Sequence, residues 1–413
     1  MVNERSKPTI HIIGAGISGL ICAWELEQKG FSPIIIEKNP DVGGRLQTVS
    51  VGDYALDRGF QVLLTAYPAV KRYLDLDALK LKNFLAGAAI RKNKVLFQLA
   101  DPLRHPALWK KTLDFPFATS RDKLLIIKLV LTLRLKTVRS IFGSREVKTL
   151  DYLSSYGFSQ QFIQSFFLPF FSGIFLENKL ETSSRMFEFV LKMFIEGNAT
   201  VPSGGIQQIP LQLKSRLKNT SFLFNTTVST IAERVIKLID QRQLATDYLV
   251  IATDPAKILP DYPTSQPIEW QHCQNLYFKV GRPIFTEPLL GLIADEDSLI
   301  NNFHFINSGE ASSIISVTIV KTHRLEYPEL VRKVKEEISE LCPGRPPELI
   351  ESFNIDHALP IHSAVEYAPV ATKIRIANWV FLAGDHMANP SLNGAMESGK
   401  AAADLLYKVI KGN

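Results

Sequence analysis

The fold is decided by Thr9-Ile-His-Ile-Ile-Gly14-Ala-Gly16-Ile-Ser18-Gly19-Leu20, followed by Ser32-Pro-Ile-Ile-Ile-Glu37. Thr9–Ile13 is a short apolar run that suits a buried strand. Leu20 to Lys29 has helical composition, and Gly30 stops it. The unbroken isoleucine run in Ser32–Glu37 suits a parallel strand covered on both faces. Between strand and helix, Gly14, Gly16 and Gly19 form G-x-G-x-x-G. Gly14 allows the tight turn, Gly16 lets the backbone approach a pyrophosphate, and Gly19 lets the helix pack on the strand. The helix start, at Ile17 and Ser18, then offers free N–H groups and partial positive charge to phosphates. Glu37 ends the second strand, where it can accept hydrogen bonds from both ribose hydroxyls and repel a 2′-phosphate. Strand, turn, helix, strand and acid together predict a dinucleotide site.

Working outward, Glu37 leads through Lys38 into Gly43-Gly44-Arg45, where glycines let the chain pass close to a dinucleotide and Arg45 can lie against it. Asp57-Arg58-Gly59-Phe60-Gln61 follows a short hairpin. At the far end Phe381-Leu-Ala-Gly384-Asp385 is a strand entering a turn, and Asn393-Gly394-Ala395-Met396 opens the last helix. A second helix N-terminus suits the flavin N1–C2=O2 locus, which gains negative charge on reduction. The two ends thus carry two halves of one FAD site. The stretches Ile10–Gln61 and Phe381–Ala402 resemble the flavin amine oxidase and phytoene desaturase superfamily. That resemblance implies an α/β fold: a Rossmann-type FAD-binding domain with an inserted α+β substrate domain. It implies that Asp385 contacts the ribityl chain, that Met396 gives a backbone N–H to the flavin, and that the Val228 backbone meets the adenine. Ala252, at the end of the strand Tyr248–Ile251, joins this expected set.

The chain has 413 residues, 46% hydrophobic and 21% charged, enough for two domains with a large core. The FAD domain is expected from 1–75, 195–260 and 365–413, the substrate domain from 76–194 and 261–364. Helical texture dominates 76–194, including a charge-free stretch from Tyr152 to Leu176, while alternating segments such as Gln274–Val280 and Ser313–Val320 predict an antiparallel sheet. The 25 phenylalanines suit a large core or an apolar cavity. Net charge is +6, but Lys and Arg are spread along the chain, against a nucleic-acid partner. Arg91-Lys-Asn-Lys94 reads as a solvated turn. The 3 cysteines and 8 histidines show no ligand spacing, so no metal is expected. No run of 18 apolar residues and no secretory signal appear, which predicts a cytoplasmic protein.

Flavin carries the chemistry, so the expected reaction is hydride transfer from a substrate C–H to flavin N5. Among polar residues that can face the substrate, Gln61, Tyr277, Lys279, His304, His357, His362 and His386, the leading candidate is His386, beside Gly384-Asp385, with Gln61 as a second catalytic candidate. Amine oxidases of the resembled group hold a lysine early in the strand that here begins Gln274-Asn275, and an aromatic where Pro390-Ser391-Leu392 stands. Both departures favour the desaturase- or hydroxysqualene-dehydroxylase-like branch and a lipophilic, isoprenoid- or carotenoid-like small molecule. The alternatives are a flavin oxidase of an amine or a protoporphyrinogen-like tetrapyrrole, and a non-catalytic prenyl-binding protein of the same fold. Leu113–Arg145 mixes Leu and Ile with Lys123, Lys128, Arg134, Lys136, Arg139 and Arg145. Two readings stay open there: a peripheral contact with the inner face of a membrane, or a buried helix with charges at its edges.

Overall fold

The structure, a computed structural model, describes residues 7–101, 104–106, 109–259, 268–306 and 313–412. The expected domain boundary at 260/261, the first six residues and the last lie outside them. A six-stranded sheet runs in the order Ser221–Leu223, Ile34–Ile36, Ile10–Ile13, Tyr248–Ile251, Val380–Leu382, Arg375–Ala377. All neighbours are parallel except the last pair. Its strands are short and mostly apolar, because both faces are covered. Ile10, Ile12, Ile35, Val250 and Phe381 pack on the helices Ile17–Gln28 and Leu392–Lys411. The alternate residues Ile13, Ile36, Leu249 and Ile251 pack on a small antiparallel sheet, Val228–Ala232, Val235–Leu238 and Gln243–Ala245.

Those two helices lie against each other through Gly399, where a Cβ would come within 2.3 Å of the Ser18 carbonyl oxygen. The Ser18 hydroxyl donates to the Ala395 carbonyl at 2.9 Å, across 377 residues of sequence. The two chain ends therefore share one layer, immediately beside the glycine turn.

A seven-stranded sheet forms the second layer. Its order is Glu348–Pro360, Trp270–Val280, Ser313–Ile319, Asn302–Ile306, Leu290–Ile293, Gly87–Lys92, Val95–Ala100. It is antiparallel apart from the Leu290–Ile293 and Gly87–Lys92 pair. The helix Tyr327–Leu341 covers one face with Leu330, Val334 and Ile338. Helices Ser120–Leu135, Thr149–Tyr156, Leu168–Phe175 and Ser184–Glu196 assemble beyond the sheet.

One reading of this region needs correction. Helices dominate 76–194, and the stretch also gives this sheet its last hairpin. Its turn is the expected one at Asn93 and Lys94, both with positive φ (52° and 63°), but Arg91 is not solvated. Arg91 is buried and paired with Asp295 at 3.3 Å and Glu340 at 2.5 Å, fastening the hairpin to its neighbours. Sequence reading missed these strands because Ala88, Ala89 and Ile90 are covered on both sides and so show no alternation.

Candidate active site

The glycine turn is built as its spacing requires. Gly14 has φ +103°, and a Cβ there would meet the Ala252 carbonyl oxygen at 3.0 Å. A Cβ on Gly19 would sit 2.0 Å from the Gly14 carbonyl oxygen, so helix and strand touch through backbone alone. Gly16 differs. Its added Cβ would meet nothing closer than the Gly44 Cα at 3.9 Å, because this glycine faces open space. The helix that begins at Ile17 has no side-chain cap, which leaves first-turn N–H groups for an anion. Glu37, buried at the end of its strand, accepts from the Ala15 amide at 2.7 Å and the Asn39 amide at 2.9 Å. One carboxylate thus fixes both turns of the cradle and keeps lone pairs for hydroxyl donors. Gly43 and Gly44, with φ +141° and +62°, bring the next loop against Gly16.

This cradle is one end of a cavity of about 1210 Å³. Of the expected residues, Gly14, Gly16, Ile17, Ser18, Glu37, Lys38, Gly43, Gly44, Arg45, Gly59, Phe60, Gln61, Ala252, Gly384, Asp385, Ala395 and His386 line it. The cavity wall does not include Gly19, Val228, Asn393, Gly394 or Met396. Val228 begins the small antiparallel sheet, two residues after Thr226, whose amide bonds the Glu37 carbonyl at 2.9 Å. Asn393 accepts from the Ala69 amide at 3.0 Å, Gly394 is capped by Ser391, and Met396 is buried one turn into the last helix.

Midway along the cavity, Arg45 donates to Asp385 at 2.6 Å and to the Ala358 carbonyl at 2.9 Å, and lies over the Trp270 ring at 5.4 Å. Burial works to raise the Asp385 carboxyl, and the Arg45 guanidinium overrides it, holding the group ionised below the ordinary range. Burial pushes His386 and His362 down, so both are neutral at pH 7. The Nε2 atoms of both are buried without a partner among the described residues. Gln61 donates to the Arg45 carbonyl at 2.9 Å. Of the polar candidates, Gln61, His357 and His386 line the cavity; Tyr277, Lys279, His304 and His362 do not. Tyr277 instead donates to the Asp57 carbonyl at 2.7 Å.

Beyond Arg45 the walls turn apolar. Phe162, Phe166 and Phe170 stack one turn apart, with centroids 5.4 and 5.9 Å apart and planes within 10° and 7°. They are carried past one another by a π-helical turn, Ile163–Phe167. Phe60, Phe84 and Phe194 add to the lining, and the far end reaches Ile126, Val130 and Leu131 of the helix Ser120–Leu135. Sequence reasoning missed Asn302, Thr318 and Trp270, which also line the cavity. Their only signal was strand alternation, which does not tell a cavity face from a wet one.

The open face at Gly16, the buried acid at Glu37 and the unpartnered imidazole beside Asp385 fit a dinucleotide laid from cradle to His386. Comparison with known proteins agrees. The model of the family described as flavin containing amine oxidoreductase matches residues 17–406. The chain is 44% identical over 48 residues to 1-hydroxycarotenoid 3,4-desaturase of Flavobacterium sp. (strain P99-3), 12% of this chain and 10% of that one. It is 31% identical over 74 residues to protoporphyrinogen oxidase 2 of Arabidopsis thaliana, 18% of this chain and 15% of that one. These matches span only a small part of either relative. The solved cyclohexylamine oxidase from Brevibacterium oxydans IH-35A shares the fold, with TM-score 0.67 at 15% identity, covering 98% of this chain and 99% of that one. The chain belongs to the flavin-containing amine oxidoreductase family and is an FAD-dependent oxidoreductase.

Proposed function

We propose that this protein oxidises an apolar, isoprenoid- or carotenoid-like small molecule by hydride transfer. The observation that carries the reading is the apolar far half of the cavity, above all the stacked Phe162, Phe166 and Phe170. Bound FAD supplies the two-electron acceptor, N5 receiving the hydride that leaves a substrate C–H bond. The residues proposed to hold it are those lining the cradle, with Glu37 at the ribose, Asp385 near the ribityl chain, and Gly19, Val228, Asn393, Gly394 and Met396 supporting from behind. Arg45 keeps Asp385 ionised, and neutral His386 presents a ring nitrogen that can take or give a proton at the reacting end. The phenylalanine wall excludes water and orients a long chain by shape. The strand start at Gln274 and Asn275 holds no lysine, the residue that amine oxidases of the resembled group carry there.

The domain division proposed from the sequence, 1–75, 195–260 and 365–413 against 76–194 and 261–364, is supported by the way strands partition between the two large sheets. We also place the protein at the inner face of a membrane. No helix among the described residues is long and apolar enough to cross one. The helix Ser120–Leu135, however, exposes Leu124, Ile127, Leu131 and Leu135 along one face, up to 87% at Leu135. Lys123, Lys128 and Arg134 accompany them and form no ion pair among the described residues. Ile127 and Leu131 also line the cavity, so its mouth opens onto this stripe.

The test is an anaerobic screen that follows bleaching of the bound flavin across isoprenoid, porphyrinogen and amine panels. Isoprenoids should bleach it, fastest when dissolved in anionic vesicles at low salt. Bleaching by amines or porphyrinogens alone would replace this reading.

A further inference from the structure

Three adjacent strands of the seven-stranded sheet, the second to the fourth, alternate like a sheet with one wet face. Asn275, Thr318 and Asn302 lie in one row across it, and Tyr277, Ser316 and His304 in the next. The intervening Leu276, Phe278, Val317, Ile315 and Phe303 pack on the helix Tyr327–Leu341. Yet the polar face is dry. Asn275 is 0% exposed, Ser316 1%, Asn302 2% and Thr318 3%. A polar face hidden from water is tolerated when its donors and acceptors find partners.

This one is only partly satisfied from within. The Asn275 amide donates to Ser316 Oγ at 3.1 Å and to the Val317 carbonyl at 2.9 Å, with a longer contact to Thr318 Oγ1 at 3.3 Å. Asn302 reaches the same Thr318 oxygen at 3.4 Å and accepts from Asn301 at 3.0 Å. Asn275 Oδ1 and His304 Nδ1 have no partner at all among the described residues. Among the described residues the Thr318 hydroxyl only accepts, so its proton is free to donate. Asn302 and Thr318 are the two members of the row that line the cavity, and Asn302 lies against Gly173 of the helix Leu168–Phe175.

We propose that Asn302 and Thr318 form a subsite for one uncharged oxygen, a hydroxyl or carbonyl, on an otherwise apolar substrate. The inference rests on the apolar-substrate reading above and sharpens it from hydrocarbon to oxygenated isoprenoid. An uncharged group is specified because neither row carries an ion. His304 is wholly enclosed between Phe60 and Phe84, with ring centroids at 4.4 and 5.8 Å, and burial pushes its imidazole down to about 3, so it is neutral as well. A charged head group would lose its hydration here without a counter-ion. A hydroxyl pairs with the two members of the row that line the cavity: Thr318 donates to it, or it accepts from the second Asn302 N–H.

The experiment uses the holoenzyme and two probes, geranylgeraniol and the same C20 chain with a hydrogen in place of the hydroxyl. Dissociation constants are read from the shift of the bound flavin's visible spectrum, without turnover. The alcohol should bind roughly ten- to a hundredfold tighter than the hydrocarbon, the usual scale for one buried hydrogen bond. Thr318→Val, nearly the same shape, should bring the ratio close to one and leave hydrocarbon binding unchanged. Thr318→Ser should restore the preference, and Asn302→Leu supplies a second variant if the first folds poorly. Equal binding of the two probes by the unaltered enzyme, or a preference that survives both substitutions, overturns the subsite and leaves the apolar reading intact. If neither probe shifts the spectrum, the apolar-substrate reading itself fails, and the subsite with it.

Discussion

The two large sheets solve opposite problems. In the parallel sheet the side chains are mostly apolar, and the proposed cofactor contacts fall to the turns beyond the strand ends: glycines, a helix start, and one acid. In the antiparallel sheet the groups that meet the ligand are side chains on the strands themselves, Thr318 and Asn302, with Asn275 and His304 beside them, while the backbone is consumed by the ladder. Backbone recognition needs glycine at fixed spacing, because a Cβ at Gly19 or Gly43 would come within 2.0 or 2.5 Å of a carbonyl oxygen. Side-chain recognition needs no fixed spacing along the chain, only register between strands. One end of the cavity is therefore specified by a motif, the other by pairing between distant segments.

The comparison can be sharpened at Glu37, the one side chain on which the backbone end depends. Glu37→Ala would free the Ala15 and Asn39 amides and remove an acceptor for the ribose. FAD affinity should fall by about 1.5–3 kcal/mol, the scale of a charge-assisted hydrogen bond. Titrating FAD into apoprotein checks this, and an unchanged dissociation constant would break the assignment.

The side-chain end should carry a pH signature of its own, beside that of the buried His386 and His362. His304 in the folded state is held far below the ordinary imidazole value of 6.5 by burial. A depressed folded value means the unfolded chain binds the extra proton first. The stability that His304 contributes is thus complete above about pH 6.5 and is lost as pH falls toward 3. Between about pH 7 and 5.5 the loss is about 1 kcal/mol. His304→Phe, which keeps the stack on Phe60, should flatten this part of the profile in chemical denaturation. A profile identical to that of the unaltered protein would place the imidazole in contact with water.

The same contrast explains what was legible beforehand. The strand Ile10–Ile13 and the pairing of both chain ends around one site were readable because each has a local signal: an apolar run or a glycine turn. The hairpin Gly87–Ala100 was not, since its first strand is covered on both faces and Arg91 looks solvated until Asp295 and Glu340 arrive from elsewhere in the chain. The Asn275–Thr318–Asn302 row was hidden for a related reason. Its alternation is that of an ordinary wet sheet, and only tertiary packing shows the polar face to be dry. His386 was placed by proximity to Asp385, and the structure sets it on the cavity wall. Tyr277 and Lys279, also candidates from the sequence, do not line the cavity.

The division between a backbone-built cofactor end and a side-chain-built substrate end is tested most directly by the flavin-to-protein ratio of two folded variants purified side by side. Gly16→Val would fill the open face of the cradle, and its protein should emerge folded and colourless. Thr318→Val should emerge fully yellow, with FAD content equal to that of the unaltered enzyme. Full flavin in Gly16→Val, or loss of flavin in Thr318→Val, would contradict the account.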